Sequence, residues 1–142
     1  MCKTLGSLIS LLDQQGLSLL ILKGGRTIYS SREGGMLPLL EAIDQLGLRA
    51  LADSTVVDRI VGRAAALLIS HFKAKEVYTK LLSRRAIEIL QKNGVAYAAE
   101  RVVDTIRKKD GTDICPFEKM VLTIDNPEKG YRKLKSELIG HT

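Results

Sequence analysis

Leu17-Ser18-Leu19-Leu20-Ile21-Leu22-Lys23-Gly24-Gly25-Arg26-Thr27-Ile28-Tyr29-Ser30 is the stretch that decides the fold. Two apolar runs flank a Gly-Gly pair. Glycine adopts positive φ without steric penalty, and a tight turn built that way matches the twist of two antiparallel strands. The stretch predicts a β-hairpin, with residues 17–22 as a buried strand and residues 27–30 as its partner. Lys23 and Arg26 beside the glycines would suit a phosphate. The G-x-x-x-x-G-K-[ST] spacing of a P-loop is absent, however, so a plain turn is the simpler reading and Lys23 the weaker ligand candidate.

Upstream, Leu5, Leu8, Ile9, Leu11 and Leu12 read as a short amphipathic helix over residues 3–13, ending near Gly16. Downstream, Gly34-Gly35 is a break. Leu37, Leu39, Leu40, Ile43 and Leu46 then mark a helix, with Pro38 near its start and Gly47 at its stop. Residues 48–52 read as loop or short strand. Val57, Ile60, Val61, Ala64, Ala65 and Leu68 recur at i, i+3 and i+4, which predicts a helix over residues 56–71. Gly62 and Ala64-Ala65-Ala66 lack bulk, so tight packing is the expectation there. Residues 75–81 read as a strand and 84–93 as a helix closed by Gly94. Residues 95–99 read as a strand, and 102–106 as a candidate further strand. A helix beginning at Cys115 extends to about Ile124, and Asn126-Pro127-Glu128 opens a last one whose stripe is Tyr131, Leu134 and Leu138. This order predicts a single α/β domain over residues 1–142. Its architecture is a three-layer α/β/α sandwich with a mixed sheet opened by a β-hairpin.

Composition narrows the function. The chain has 142 residues, 45% of them hydrophobic and 27% charged, ordinary for a globular domain. Two Phe, four Tyr and no Trp argue against a surface that stacks bases. The net charge of +6 could attract nucleic acid or anionic metabolites. The basic residues are spread, though, and the tightest runs, Arg107-Lys108-Lys109 and Lys129, Arg132, Lys133 and Lys135, read as solvated faces. Cys2 and Cys115 make no disulfide framework, which fits a reducing cytoplasm. Gly6, Ser7, Ser10 and Asp13 interrupt the N-terminal apolar stretch, so no signal peptide is expected. No apolar run is long enough to span a membrane.

The chemistry concentrates in Asp113-Ile114-Cys115-Pro116-Phe117-Glu118-Lys119. Pro116 suits the first helical position, which places Cys115 at the N-cap and Glu118 at the third position. A thiol there feels the positive end of the helix dipole. The alternative is structural: Glu118 completing a capping box by reaching back to the N-cap N–H. A nucleophilic cysteine needs a base. Of the two histidines, His71 sits near a helix C-terminus, where favouring the dipole is sufficient explanation, and His141 lies at the chain end. Thr55-Val56-Val57-Asp58 matches [ST]-x-x-[DE] ahead of an apolar run, which makes Asp58 a cap. Asp58, Gly62 and Arg63 could equally form a small polar recess. No H-E-x-x-H and no zinc-forming Cys/His set occurs.

Four segments taken together resemble one family. They are Ser31-x-x-Gly34-x-x-x-Pro38-Leu-Leu, Asp58-Arg-Ile-Val-Gly-Arg-Ala-Ala-Ala, Asp110-Gly-Thr and Cys115-Pro-Phe-Glu118-Lys. Their order and spacing resemble the DUF1893 family, a prokaryotic group of unknown function placed with the cytidine deaminase-like fold, over about residues 8–138. The resemblance implies that helices starting near Asp58 and Cys115 begin side by side over the sheet. In zinc deaminases such helices carry H-x-E or C-x-E and P-C-x-x-C. This chain has Asp58-Arg-Ile and Cys115-x-x-Glu118 instead, so a zinc-dependent deaminase is not expected, nor any metal or cofactor.

The expectation is therefore a cytoplasmic domain that binds a small polar or anionic, nucleotide-like ligand. Its site would comprise Asp58, Gly62, Arg63, Cys115 and Glu118, with Lys23 more distant, in a cleft where two helix N-termini favour an anion. An enzyme using Cys115 with Asp58 or Glu118 at the same cleft is the first alternative, and a weak nucleic-acid-binding module the second. A homodimer is compatible with the sequence; membrane association is not expected.

Overall fold

The computed structural model describes residues 4–108, 110–111 and 113–138. Cys2, Lys109, Thr112 and His141, all singled out from the sequence, lie outside them. The described chain runs α1 (Leu5–Gln15), β1 (Leu19–Lys23), β2 (Arg26–Ser31), α2 (Leu37–Leu51), β3 (Thr55–Val61), α3 (Arg63–His71), β4 (Glu76–Ser83), α4 (Arg84–Lys92), β5 (Ala96–Val103), α5 (Pro116–Met120) and α6 (Pro127–Leu138). The five strands form one open mixed sheet of order β2-β1-β3-β4-β5. The hairpin forms as expected: Lys23 pairs with Arg26, and Gly24 and Gly25 between them both have positive φ. β1 runs antiparallel to β3, whereas β3, β4 and β5 are parallel.

Each parallel pair needs a helical crossover, and α3 and α4 supply them. α3 lies at the centre: every residue from Arg63 to Ser70 is buried. Its alanines lie at 0–1% exposure within the main core, so the expected tight packing is what the low bulk serves. α6 closes on α3 through Gly130, where a Cβ would meet Leu67 at 2.8 Å. The stripe on α6 packs inward as expected, with Leu134 buried and Tyr131 and Leu138 half-buried. Tyr131 also stacks on His71, ring centroids 4.7 Å apart, and burial lowers the imidazole's pKa. His71 is thus held toward its neutral form, not as the dipole-stabilising cation expected from its position. The other sheet face carries a smaller core, in which Leu8, Ile9 and Leu12 of α1 meet Leu20 and Val57.

Several elements differ from the sequence reading. The helix expected over residues 56–71 is a strand followed by a helix, β3 and α3. Thr55-Val56-Val57 is β-branched and sits mid-sheet, where a strand buried on both faces loses its alternation and can imitate a helical period. Asp58 is therefore a strand residue and caps no helix. Residues 48–51 continue α2 beyond a kink at Gly47, whose φ of 82° interrupts the helix without ending it. β5 absorbs residues 100–103, and the Cys115 helix stops at Met120.

Candidate functional site

β3 ends at Val61, and Gly62 turns the chain into α3 with no side chain to cap the new helix. The cap comes from elsewhere. Glu118 of α5, 3% exposed, places Oε1 at 2.8 Å from the backbone N of Arg63 and Oε2 at 2.8 Å from that of Ala64, accepting from both N–H groups. These would otherwise be orphan donors at a buried helix start. Gly62 is glycine for the same reason: a Cβ there would lie 2.5–2.8 Å from the Glu118 carboxylate. Its φ of −101° is ordinary, so close approach and not conformation requires the glycine. Burial pushes the Glu118 carboxyl above its usual range, against the pull of the two N–H groups and of Arg63. Glu118 is thus a cap, but of α3 and not of its own helix. Cys115 is the N-cap residue of α5 and Pro116 sits at the helix start, as expected, yet the thiol makes no capping bond.

Arg63 ties the same corner from the other side. Its Nε donates to the Val121 carbonyl at 3.0 Å and its Nη2 to the Ile124 carbonyl at 2.7 Å, and Nη2 also pairs with Asp125. Lys23 donates to the carbonyls of Arg49 and Ala50 at the end of α2, 3.4 and 3.1 Å away. Neither side chain lines the cleft.

The cleft itself is a cavity of about 430 Å³ at the carboxyl end of β3. It opens where β1 and β4 flank β3 on opposite sides and in opposite directions, the position at which open α/β sheets leave a crevice. Asp58, Gly62, Cys115 and Glu118 all border it, so four of the six residues expected at a site do come together. Most of the remaining wall is apolar, including Leu19, Met36, Leu39, Ile106 and Phe117. Asp58 lies directly across from Leu19, which places it on the sheet face beneath α3. Its Oδ1 accepts from the Arg59 N–H at 2.8 Å, and no cation forms an ion pair with it among the described residues. Arg59, its neighbour, also borders the cavity and its charge favours the Asp58 carboxylate, but its guanidinium is held by the Leu17 carbonyl at 2.8 Å and Asp13 at 3.1 Å. The residue is half-buried, and desolvation raises its pKa to about 7. A carboxyl poised there can donate or accept a proton near neutrality.

The match to known proteins covers nearly the whole described fold: residues 7–138 match the family described as TM1506, Domain of unknown function (DUF1893). The chain belongs to the DUF1893 family. A DUF1893 family protein (TM1506) from Thermotoga maritima, solved by crystallography, is 29% identical to this chain. Its structure superposes with a TM-score of 0.83, covering 97% of this chain and 93% of that one. No curated protein matches. The family is thus established and carries no assigned activity.

In this DUF1893 chain, sequence reasoning missed the apolar wall. Gly34-Gly35 was legible only as a break. Gly35, at φ 80°, borders the cavity where a Cβ would meet the Phe117 ring at 3.8 Å. Phe117 sits inside the Cys-Pro-Phe-Glu motif with no signal that its ring forms a wall. Among the described residues no three His, Cys, Asp or Glu side chains gather as a metal-binding group. No helix there is long and apolar enough to cross a membrane.

Proposed function

We propose that this chain is a cytoplasmic small-ligand-binding domain of cytidine deaminase-like architecture that works without the zinc motifs, and that its ligand enters the cavity at Asp58. The hairpin-led sheet order β2-β1-β3-β4-β5 with helices on both faces supports that architecture. The single observation that carries the ligand reading is Asp58, a carboxyl that forms no ion pair among the described residues and borders a mainly apolar cavity of about 430 Å³. Small-molecule sites of about 300–1,000 Å³ typically combine apolar walls with a few placed polar groups. The ligand's anionic part does not sit on α3, whose first N–H groups already hold Glu118. The Asp58 end instead suits a flat, largely apolar body with a hydrogen-bonding edge, as in a nucleobase.

The test is thermal stabilisation by the four common ribonucleosides at millimolar concentration, at pH 7, in wild type and Asp58→Asn. A saturable rise in Tm with at least one of them, weakened at least tenfold in apparent affinity by Asp58→Asn, is the expected result. No stabilisation by any of the four overturns the reading.

An enzyme reading keeps the same cleft, because the half-buried thiol of Cys115 borders the cavity that Asp58 enters. Here Cys115 acts as nucleophile and Asp58 as acid or base, while Glu118 is withdrawn by its capping role. Ligand protection of Cys115 from iodoacetamide distinguishes a thiol that meets the ligand from one that does not. A nucleic-acid-binding module is less favoured: Arg132 and Lys133 on α6 are ion-paired with Glu128 and Glu137 along their own helix.

A further inference from the structure

A second cavity of about 590 Å³ lies along the carboxyl ends of β3, β4 and β5, with Leu81, Arg101 and Asp104 in its wall. It shares Ile60, Ile106, Arg107 and Lys108 with the Asp58 cavity, so the two are neighbouring compartments with one common rim. Their characters differ. The first is walled mainly by hydrocarbon. The second brings together three exposed cations, Arg101, Arg107 and Lys108. The one acid among its lining residues, Asp104, is neutralised by Arg84 at 2.8 Å. Among the described residues the guanidinium groups of Arg101 and Arg107 enter no hydrogen bond or ion pair, whereas Arg59, Arg63, Arg84 and Arg132 are all paired. Arg85, at the start of α4, anchors to the neutral Thr105 hydroxyl and adds positive charge beside the groove.

We propose that this groove is the anion-binding half of the ligand site. On the reading that a ligand body enters at Asp58, the ligand is a phosphate-bearing small molecule whose phosphate crosses the shared rim to Arg101, Arg107 and Lys108. Guanidinium groups offer planar paired donors that match phosphate oxygens two at a time, and three cations together suit the roughly −2 charge of a phosphate better than a singly charged carboxylate tail. The geometry also answers a question left by α3: an anion that cannot displace Glu118 has a cationic groove next to the same cavity. Exposure keeps the phosphate end in solvent and leaves the apolar end to exclude water.

Calorimetry at about 50 mM salt, where surface charges are weakly screened, tests this with three probes: the four ribonucleosides, their 5′-monophosphates and inorganic pyrophosphate. The proteins are wild type, Arg101→Gln, Arg107→Gln and Asp58→Asn; both arginines are exposed, so their variants fold. At least one monophosphate should bind at least tenfold tighter than its nucleoside. Each arginine variant should remove most of that gain while nucleoside affinity stays within twofold, and Asp58→Asn should weaken both ligands in parallel. Equal affinity of nucleoside and monophosphate, or a gain that survives both arginine variants, overturns the groove assignment and leaves the Asp58 reading standing. If no nucleoside or monophosphate binds but pyrophosphate does, with loss in the arginine variants, the groove stands and the Asp58 reading fails. If none of the probes binds, the groove assignment is overturned as well.

Discussion

Glu118 and Asp58 border one cavity and are both carboxyl groups set among apolar neighbours, but their surroundings use them differently. At the entrance to α3, both oxygens of Glu118 accept backbone N–H groups and Gly62 is stripped of a side chain to make room. Bordering the same cavity, Asp58 accepts from the backbone of Arg59 and Ile60, feels the Arg59 charge, and forms no ion pair among the described residues. The first carboxyl is consumed in holding α5 against α3. The second caps no helix, and burial raises its pKa to about 7 against the pull of its backbone donors and of Arg59. A charged residue in a cleft is therefore no guide to function until its hydrogen bonds are counted. By that count Glu118 caps a helix, whereas Asp58 is bound only to neighbouring backbone.

The largest effect that separates the two should come from Glu118. Replacing it with Ala strands two buried N–H donors, and urea unfolding should show a loss of about 3 kcal/mol. Gly62→Ala should destabilise by about 2 kcal/mol, because the new Cβ collides with the carboxylate. In the double variant the collision partner is gone, so Gly62→Ala should then add less than about 0.5 kcal/mol. Additive losses would mean that Gly62 is glycine for some reason other than Glu118.

Asp58 should give a smaller effect that depends on pH. Its folded pKa, about 7, lies above the ordinary carboxyl value of 3.8. Between these limits the folded state binds the extra proton. Its contribution is fully present below about pH 4, is lost as pH rises through 7, and is constant above that. Relative to Asp58→Asn, wild type should lose about 2 kcal/mol across that window, a figure kept below the full shift because the residue is partly exposed. Glu118 shifts in the same direction, and taking the difference between the two proteins removes its share. Parallel stability curves for the two proteins would place Asp58 in water.

The smallest effect is expected at Cys115. Its thiol makes no capping bond, so Cys115→Ser should change stability by less than about 0.5 kcal/mol. A loss above about 1 kcal/mol would give the thiol a packing role and make it, like Glu118, part of the frame.

How far the site was legible can be followed residue by residue. Cys115 at an N-cap followed by Pro116 was readable because capping preferences act within one turn. The partnership of Glu118 with α3 was not, because the two are 54 and 55 positions apart and the local alternative, a capping box, has the same sequence signature. Arg63 reads as a site residue because, in a helix over 56–71, it and Asp58 flank the bare Gly62 and could form a polar recess. Only its bonds to Val121, Ile124 and Asp125 reveal the clamp.

Sequence alone determined the hairpin at Gly24-Gly25, the amphipathic α1 and α6, the α/β class and, through four short motifs in order, membership of DUF1893. These rest on turn chemistry, periodicity and spacing, which are written in neighbouring residues. Tertiary structure alone decided that Thr55–Val61 is a strand, since burial on both faces erases the alternation that would have announced it. It also decided which acid caps α3 and which is held only by neighbouring backbone. A carboxylate's pKa and role depend on the donors and apolar walls around it, and those come from segments far apart in the chain.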